Sequence, residues 1–176
     1  MMNKNWMLLF LFLLFLMEGT LLPFFIPDEW VGRIVPQFVF IIVLYHAVYN
    51  HRHTALLMGL GFGLLQDVVY YGYMIGPHAF GMGLLGYLVG LLFSTRNTPM
   101  VSMMVIAIMG SFAFQSILFG IYALFNLHQY PFNDALMEYM LPSLFVQLAF
   151  ALVVYVPMRK WFDASPVNVI AEEEEG

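Results

Sequence analysis

Two acids stand inside runs that are otherwise apolar, Glu18 and Asp67. A charged side chain at the centre of a membrane helix costs roughly 2.5–3.5 kcal/mol on insertion scales. Acids so placed either relay a proton or cation, contact a polar ligand, or hydrogen-bond a neighbouring helix. Asp67 lies in Leu56–Tyr71, LLMGLGFGLLQDVVYY, behind Gly59 and Gly63. A helix returns to the same face every three to four residues. Gly59, Gly63 and Asp67 therefore share one stripe, with Gln66 and Tyr70 beside it and Leu, Phe and Val opposite. Bare glycines let a second helix backbone come close, so the stripe turns inward as a helix-packing or partner-contacting surface. No Lys or Arg sits at similar depth in any helix, which favours a structural role for Asp67 over a relay. Glu18 could share a proton with Asp67 if helices one and three touch; a lone acid near an interface more often bonds locally.

The other polar groups fit helix packing. Gln66, Gln115 and Gln147 each sit within a span, where amides bridge helices for ~0.6–2 kcal/mol. Gly83, Gly86 and Gly90 share a face of helix four, a second stripe for close packing. His51 and His53 flank Arg52 in a polar turn, His46 lies near the end of helix two, and His78 and His128 are expected outside the opposite face. They form no metal set. No G-x-S-x-G, H-E-x-x-H or P-loop pattern is present. The chain lacks cysteine, which excludes disulfides and thiolate chemistry. The fourteen methionines are core and lipid-facing filler. No cofactor is expected, and a membrane enzyme has no nucleophile–base pair to name.

The elements that position these residues are six apolar helices: about Trp6–Phe25, Ile34–Tyr49, Ala55–Tyr73, Ala79–Phe93, Met100–Phe125 and Tyr139–Val156. The third carries the acid and the glycine stripe, and the others are expected to shelter it. The second is short for the ~20 residues a span takes. Pro36 opens it, Asn126–Glu138 is the longest loop, and Pro157 closes helix six. Of 176 residues, 62% are hydrophobic and only 10% charged, against about 25% charged in globular domains. The fold class is an all-α integral membrane protein. Residues 1–160 are its single six-helix transmembrane domain. Residues 161–176 are a polar acidic tail, expected to be cytoplasmic and disordered. The N-terminal apolar run lacks an A-x-A-like site and reads as a retained helix. Much of the net charge of −5 comes from the terminal run Glu172–Glu175, and with no basic patch nucleic-acid binding has no support. Lys4, Arg52, Arg96, Arg159 and Lys160 fall on one side. Arg33 falls on the other, with Asp28, Glu29, Asp134 and Glu138. That bias places both termini in the cytoplasm.

The run GLGFGLLQDVVYYGYMIGPHAFGMGLLGYLVG, with its Leu65-Gln66-Asp67 element, later glycines at Gly72 and Gly76, and Gly86-Tyr87, resembles the MreD family of rod shape-determining membrane proteins. Length and helix count extend the resemblance over the whole chain, while its specific part is residues 59–90. It implies a non-enzymatic part of the elongation machinery that builds lateral peptidoglycan in the bacterial cytoplasmic membrane. The implied partners are MreC and, through it, MreB, RodA and a penicillin-binding transpeptidase. It also implies a fold similar to the S-components of energy-coupling-factor transporters. No catalytic residue is transferred.

Two functions follow. The first is a membrane scaffold that binds MreC. The second is an S-component-like or proton-coupled carrier using Glu18, Asp67 or the three glutamines. Against a carrier, no span shows the Pro/Gly-broken centre of many ion-coupled transporters.

Overall fold

A computed structural model describes residues 4–21, 34–70, 74–93, 98–127 and 131–163. These residues form six helices and no strand. Helix α1 is Lys4–Leu16, continued by a π-helical stretch Met17–Leu21. Then come α2 (Phe38–Tyr49), α3 (Arg52–Val69), α4 (Pro77–Phe93) and α5 (Met100–Leu124). Helix α6 runs as Phe132–Ala135, a π-helical Leu136–Met140 and Leu141–Asp163. The expected end of helix one at Pro23–Phe25, the acids Asp28 and Glu29, Arg33, Arg96, His128 and the tail beyond Asp163 lie outside the described residues.

Several boundaries differ from those expected of the sequence, each for a local reason. Helix α2 begins after Pro36, because a proline holds its predecessor in extended backbone. The turn before α3 is confined to Asn50 and His51. Arg52 and His53 already belong to the helix, whose first turn Thr54 braces by donating from its hydroxyl to the His51 carbonyl (2.7 Å). Helix α4 starts at Pro77, a residue suited to the first helical position. The stretch expected as a long loop becomes helical from Phe132, and the π turn brings Ala135 and Met140 to the inside together. Pro157 does not end α6. It removes one ladder bond, and the Arg159 guanidinium reaches across that turn to the Tyr155 hydroxyl (3.1 Å) while Met158 stays buried.

The centre of the bundle is α2 rather than α3. Every residue from Val39 to Val48 is buried, and α2 packs against α1, α3, α4, α5 and α6. Its sequence, FVFIIVLYHAVY, is apolar all round, the pattern of a fully sheltered helix. A helix hidden from lipid has no need to match the bilayer, which accounts for its shortness. Phe40 stacks on Phe114 of α5 at 4.5 Å and Phe38 on Phe150 of α6 at 4.0 Å. The Tyr45 hydroxyl donates to the Ala151 carbonyl (2.7 Å). Helix α3 buries only one stripe and exposes Leu57, Leu64, Val68 and Val69.

Large apolar side chains also cover the outside of α1, α4, α5 and α6, among them Phe12, Leu92, Val101 and Val153. Such a belt suits hydrocarbon and is far beyond the patches of a soluble monomer. Two helices, Met100–Leu124 and Phe132–Lys160, are long and apolar enough to cross a membrane. Phe40→Ala should lower unfolding stability by about 3–5 kcal/mol, whereas Leu57→Ala, on the outer face, should change it by less than about 0.5 kcal/mol. Thermal or denaturant unfolding in one detergent checks both.

Candidate functional site

The first turn of a helix presents amide protons with no partner of their own. Helix α4 is preceded by Gly76, not by Ser, Thr, Asp or Asn, so no local side chain caps it. The cap comes from α3. One Asp67 carboxylate oxygen accepts from the amides of Gly76 (2.9 Å) and Ala79 (3.1 Å); the other accepts from the His78 amide (3.1 Å) and meets His78 Nδ1 (2.8 Å). Asp67 is 0% exposed and His78 2%. An anion at a helix N-terminus also gains from the aligned peptide dipoles.

The glycine stripe makes this reach possible. A Cβ on Gly59 would lie 2.6 Å from the Met82 carbonyl oxygen, and one on Gly63 would lie 2.5 Å from Ala79 Cα. The α3 and α4 backbones therefore touch along the stripe, antiparallel, and Asp67 arrives at the start of α4. The turn uses Gly76 at φ +123°, where a side chain is strained. Further along, Gly83 meets Leu60 of α3, Gly86 meets Val43 of α2 and Ala55 of α3, and Gly90 meets Arg52 and the Ala47 carbonyl. The Arg52 guanidinium lies over the Tyr87 ring, 5.9 Å from its centroid.

Glu18 performs the same service for α2, which has no cap from Gln37. One Glu18 oxygen accepts from the Val39 amide (3.1 Å); the other accepts from Gln66 Nε2 (3.0 Å). The Tyr70 hydroxyl donates to the Phe15 carbonyl (2.8 Å), just before the π stretch of α1. Glu18 and Asp67 do not form the pair the sequence allowed. Neighbours on α3 divide the work, Gln66 holding α1 and Asp67 holding α4. Helix α6 secures the lead into α2: the Val35 amide donates to Ser143 Oγ (3.0 Å), and Gln147 Nε2 donates to Gln37 Oε1 (3.3 Å). All these groups gather where α1 and α3 end and α2, α4 and α6 begin.

Residues 2–164 match the family model described as rod shape-determining protein MreD. The chain belongs to the MreD family. The rod shape-determining protein MreD of Bacillus subtilis (strain 168) is 25% identical over 138 residues, 78% of this chain and 78% of that protein. No solved structure matches. A rod-shape-determining role and a membrane setting for this MreD-family chain agree with its apolar belt.

The sequence places His78 outside the bundle, next to the Gly76-Pro77 turn. It is instead buried against Asp67, because α4 starts at Pro77 and its first turn sinks beneath the end of α3. Gln37, Tyr70 and Ser143 also have roles that their sequence positions do not announce. The signal that could find them is the missing caps on α2 and α4, which require acceptors from elsewhere. Gln66 and Gln147 do bridge helices, whereas Gln115 Nε2, Ser111 Oγ, Gln66 Oε1 and Gln147 Oε1 are buried without a partner among the described residues. Asp67 and His78 are both buried, and the Asp67 bonds join the end of α3 to the start of α4.

Asp67→Asn should cost about 2–3 kcal/mol, since charge-assisted bonds to the α4 amides are lost. Gly63→Val should cost about 3 kcal/mol by forcing two backbones apart. Gly61→Ala, with open space around it, should be neutral or gain up to about 1 kcal/mol. Melting of the three purified variants against the parent chain tests the order.

Proposed function

We propose that this chain is a non-enzymatic, multi-pass scaffold of the bacterial cytoplasmic membrane, with both termini cytoplasmic. In this reading it binds MreC and helps position lateral peptidoglycan synthesis, in indirect association with MreB, RodA and a penicillin-binding transpeptidase. The supporting observation is the family match over residues 2–164. The interior adds a physical argument. The groups best suited to chemistry, Glu18, Asp67 and His78, are committed to joining helices. The outside offers apolar helix faces on which other membrane helices can pack. Gly59, Gly63 and Asp67 act by building the α3–α4 unit, and Gly83, Gly86 and Gly90 by seating it on α2. They serve the scaffold from within and are not the MreC contact.

A small-molecule carrier is the second reading, supported by the orphaned amide oxygens of Gln66 and Gln147. A bound ligand raises apparent stability by mass action. A vitamin and lipid-precursor panel should therefore leave the melting temperature unchanged if the chain is a scaffold. Depletion in the native host, with fluorescent labelling of new cell wall, should give rounded cells that have lost lateral synthesis. Gly63→Val should reproduce this and Gly61→Ala should not. Normal rods with a nutrient requirement would reverse the choice between the two readings.

A further inference from the structure

The two buried acids have unlike surroundings. Asp67 is enclosed by three backbone amides and an imidazole at a helix N-terminus, a set of donors that suits a full negative charge. Glu18 has the opening amides of α2, at Phe38 and Val39, and Gln66 Nε2. Among the described residues no Lys, Arg or His contacts it. Helix α3 presents Gln66 and Tyr70 toward it; the Tyr70 hydroxyl is committed to the Phe15 carbonyl, and Asp67 to α4. An acceptor is also left over beside it: Gln66 Oε1, on the same amide that donates to Glu18, is buried with no partner among the described residues. Among the described residues this carboxylate has no cation beside it and an unfilled amide oxygen next to it, an arrangement that lacks one hydrogen.

We propose that Glu18 and Gln66 form a proton-binding site. One proton on Glu18 turns the pair into an acid–amide couple. The amide N–H donates to one carboxyl oxygen, and the carboxyl O–H donates to Gln66 Oε1, so every polar atom of both side chains has a partner. The proton is taken from water and returned to water, with no other bond made or broken. Both acids are buried, Glu18 at 9% exposure and Asp67 at 0%. The place of Glu18 in the π-helical stretch of α1 aims the carboxyl at the start of α2, and π turns often mark functional positions. The proton thereby joins α1 to α2 and α3. Its loss leaves a carboxylate, still held by the α2 amides, facing an amide oxygen, and α1 loosens at this end. The inference is independent of the scaffold reading.

The test is infrared spectroscopy of the full chain in lipid nanodiscs, with melting curves over a range of pH. The carbonyl stretch of a protonated carboxyl, sensitive to hydrogen–deuterium exchange, should appear in the parent chain and in Asp67→Asn and vanish in Glu18→Gln. The folded chain holds a proton that the unfolded chain releases, so stability should fall as pH rises. Glu18→Gln, which mimics the neutral acid, should abolish that fall while keeping the parent's stability at neutral pH. Gln66→Met should move the band toward that of a carboxyl with no amide partner. A band that survives Glu18→Gln or is unmoved by Gln66→Met would overturn the proposal. So would a Glu18→Gln chain as unstable as Glu18→Leu, or stability that follows sodium concentration at fixed pH.

Discussion

A helix that begins inside an apolar bundle exposes amide protons that water cannot reach, and each one left bare costs about as much as a lost hydrogen bond. Helices α2 and α4 both begin this way, and neither carries its own cap. The rest of the bundle is arranged around that need. Glu18 meets the start of α2, Asp67 meets the start of α4, and Ser143 and Gln147 hold the extended lead ahead of α2. Acids that would be costly in lipid are placed where they are most useful, against the positive ends of helix dipoles. The glycines of α3 and α4 serve the same end by setting the interhelical distance that brings Asp67 to its donors.

Around this polar layer the packing is ordinary apolar chemistry. Helix α2 is buried by its neighbours from Val39 to Val48, and aromatic stacks such as Phe40 on Phe114 fix its rotation. The opposite end has polar contacts of its own. His46 Nε2 meets Thr54 Oγ1 (2.9 Å), and the Tyr49 hydroxyl donates to the Thr98 carbonyl (3.3 Å). The Arg52–Tyr87 stack lies at this end too.

The inward stripe of Gly59, Gly63 and Asp67 was legible because glycines four residues apart, followed by an acid at the same spacing, gain nothing by facing lipid. The six helices were legible from hydropathy alone. What Asp67 touches was not, because its partners are backbone amides, and amides carry no residue-type signal. The burial of His78 escaped for a related reason: a Gly-Pro turn looks exposed unless its following helix is known to tuck beneath a neighbour. The centrality of α2 was masked by its length, since a short apolar segment reads as a poor span before it reads as a core. The extra turns of α6 were hidden by Pro131, Asn133 and Asp134, a loop-like composition that starts a helix here.

The order of the caps along the chain has a consequence for biogenesis. Glu18 precedes the helix it caps, and Asp67 precedes α4. During synthesis from the N-terminus, each bare helix start therefore emerges after its acceptor is already in place. The lead into α2 is the exception. Its partners Ser143 and Gln147 come from α6, the last helix made, so the Val35 amide and the Gln37 side chain wait through the synthesis of three intervening helices. A ribosome stalled after α5 would leave the α6-facing side of the central helix open, with the Val35 amide and the Tyr45 hydroxyl still lacking their acceptors.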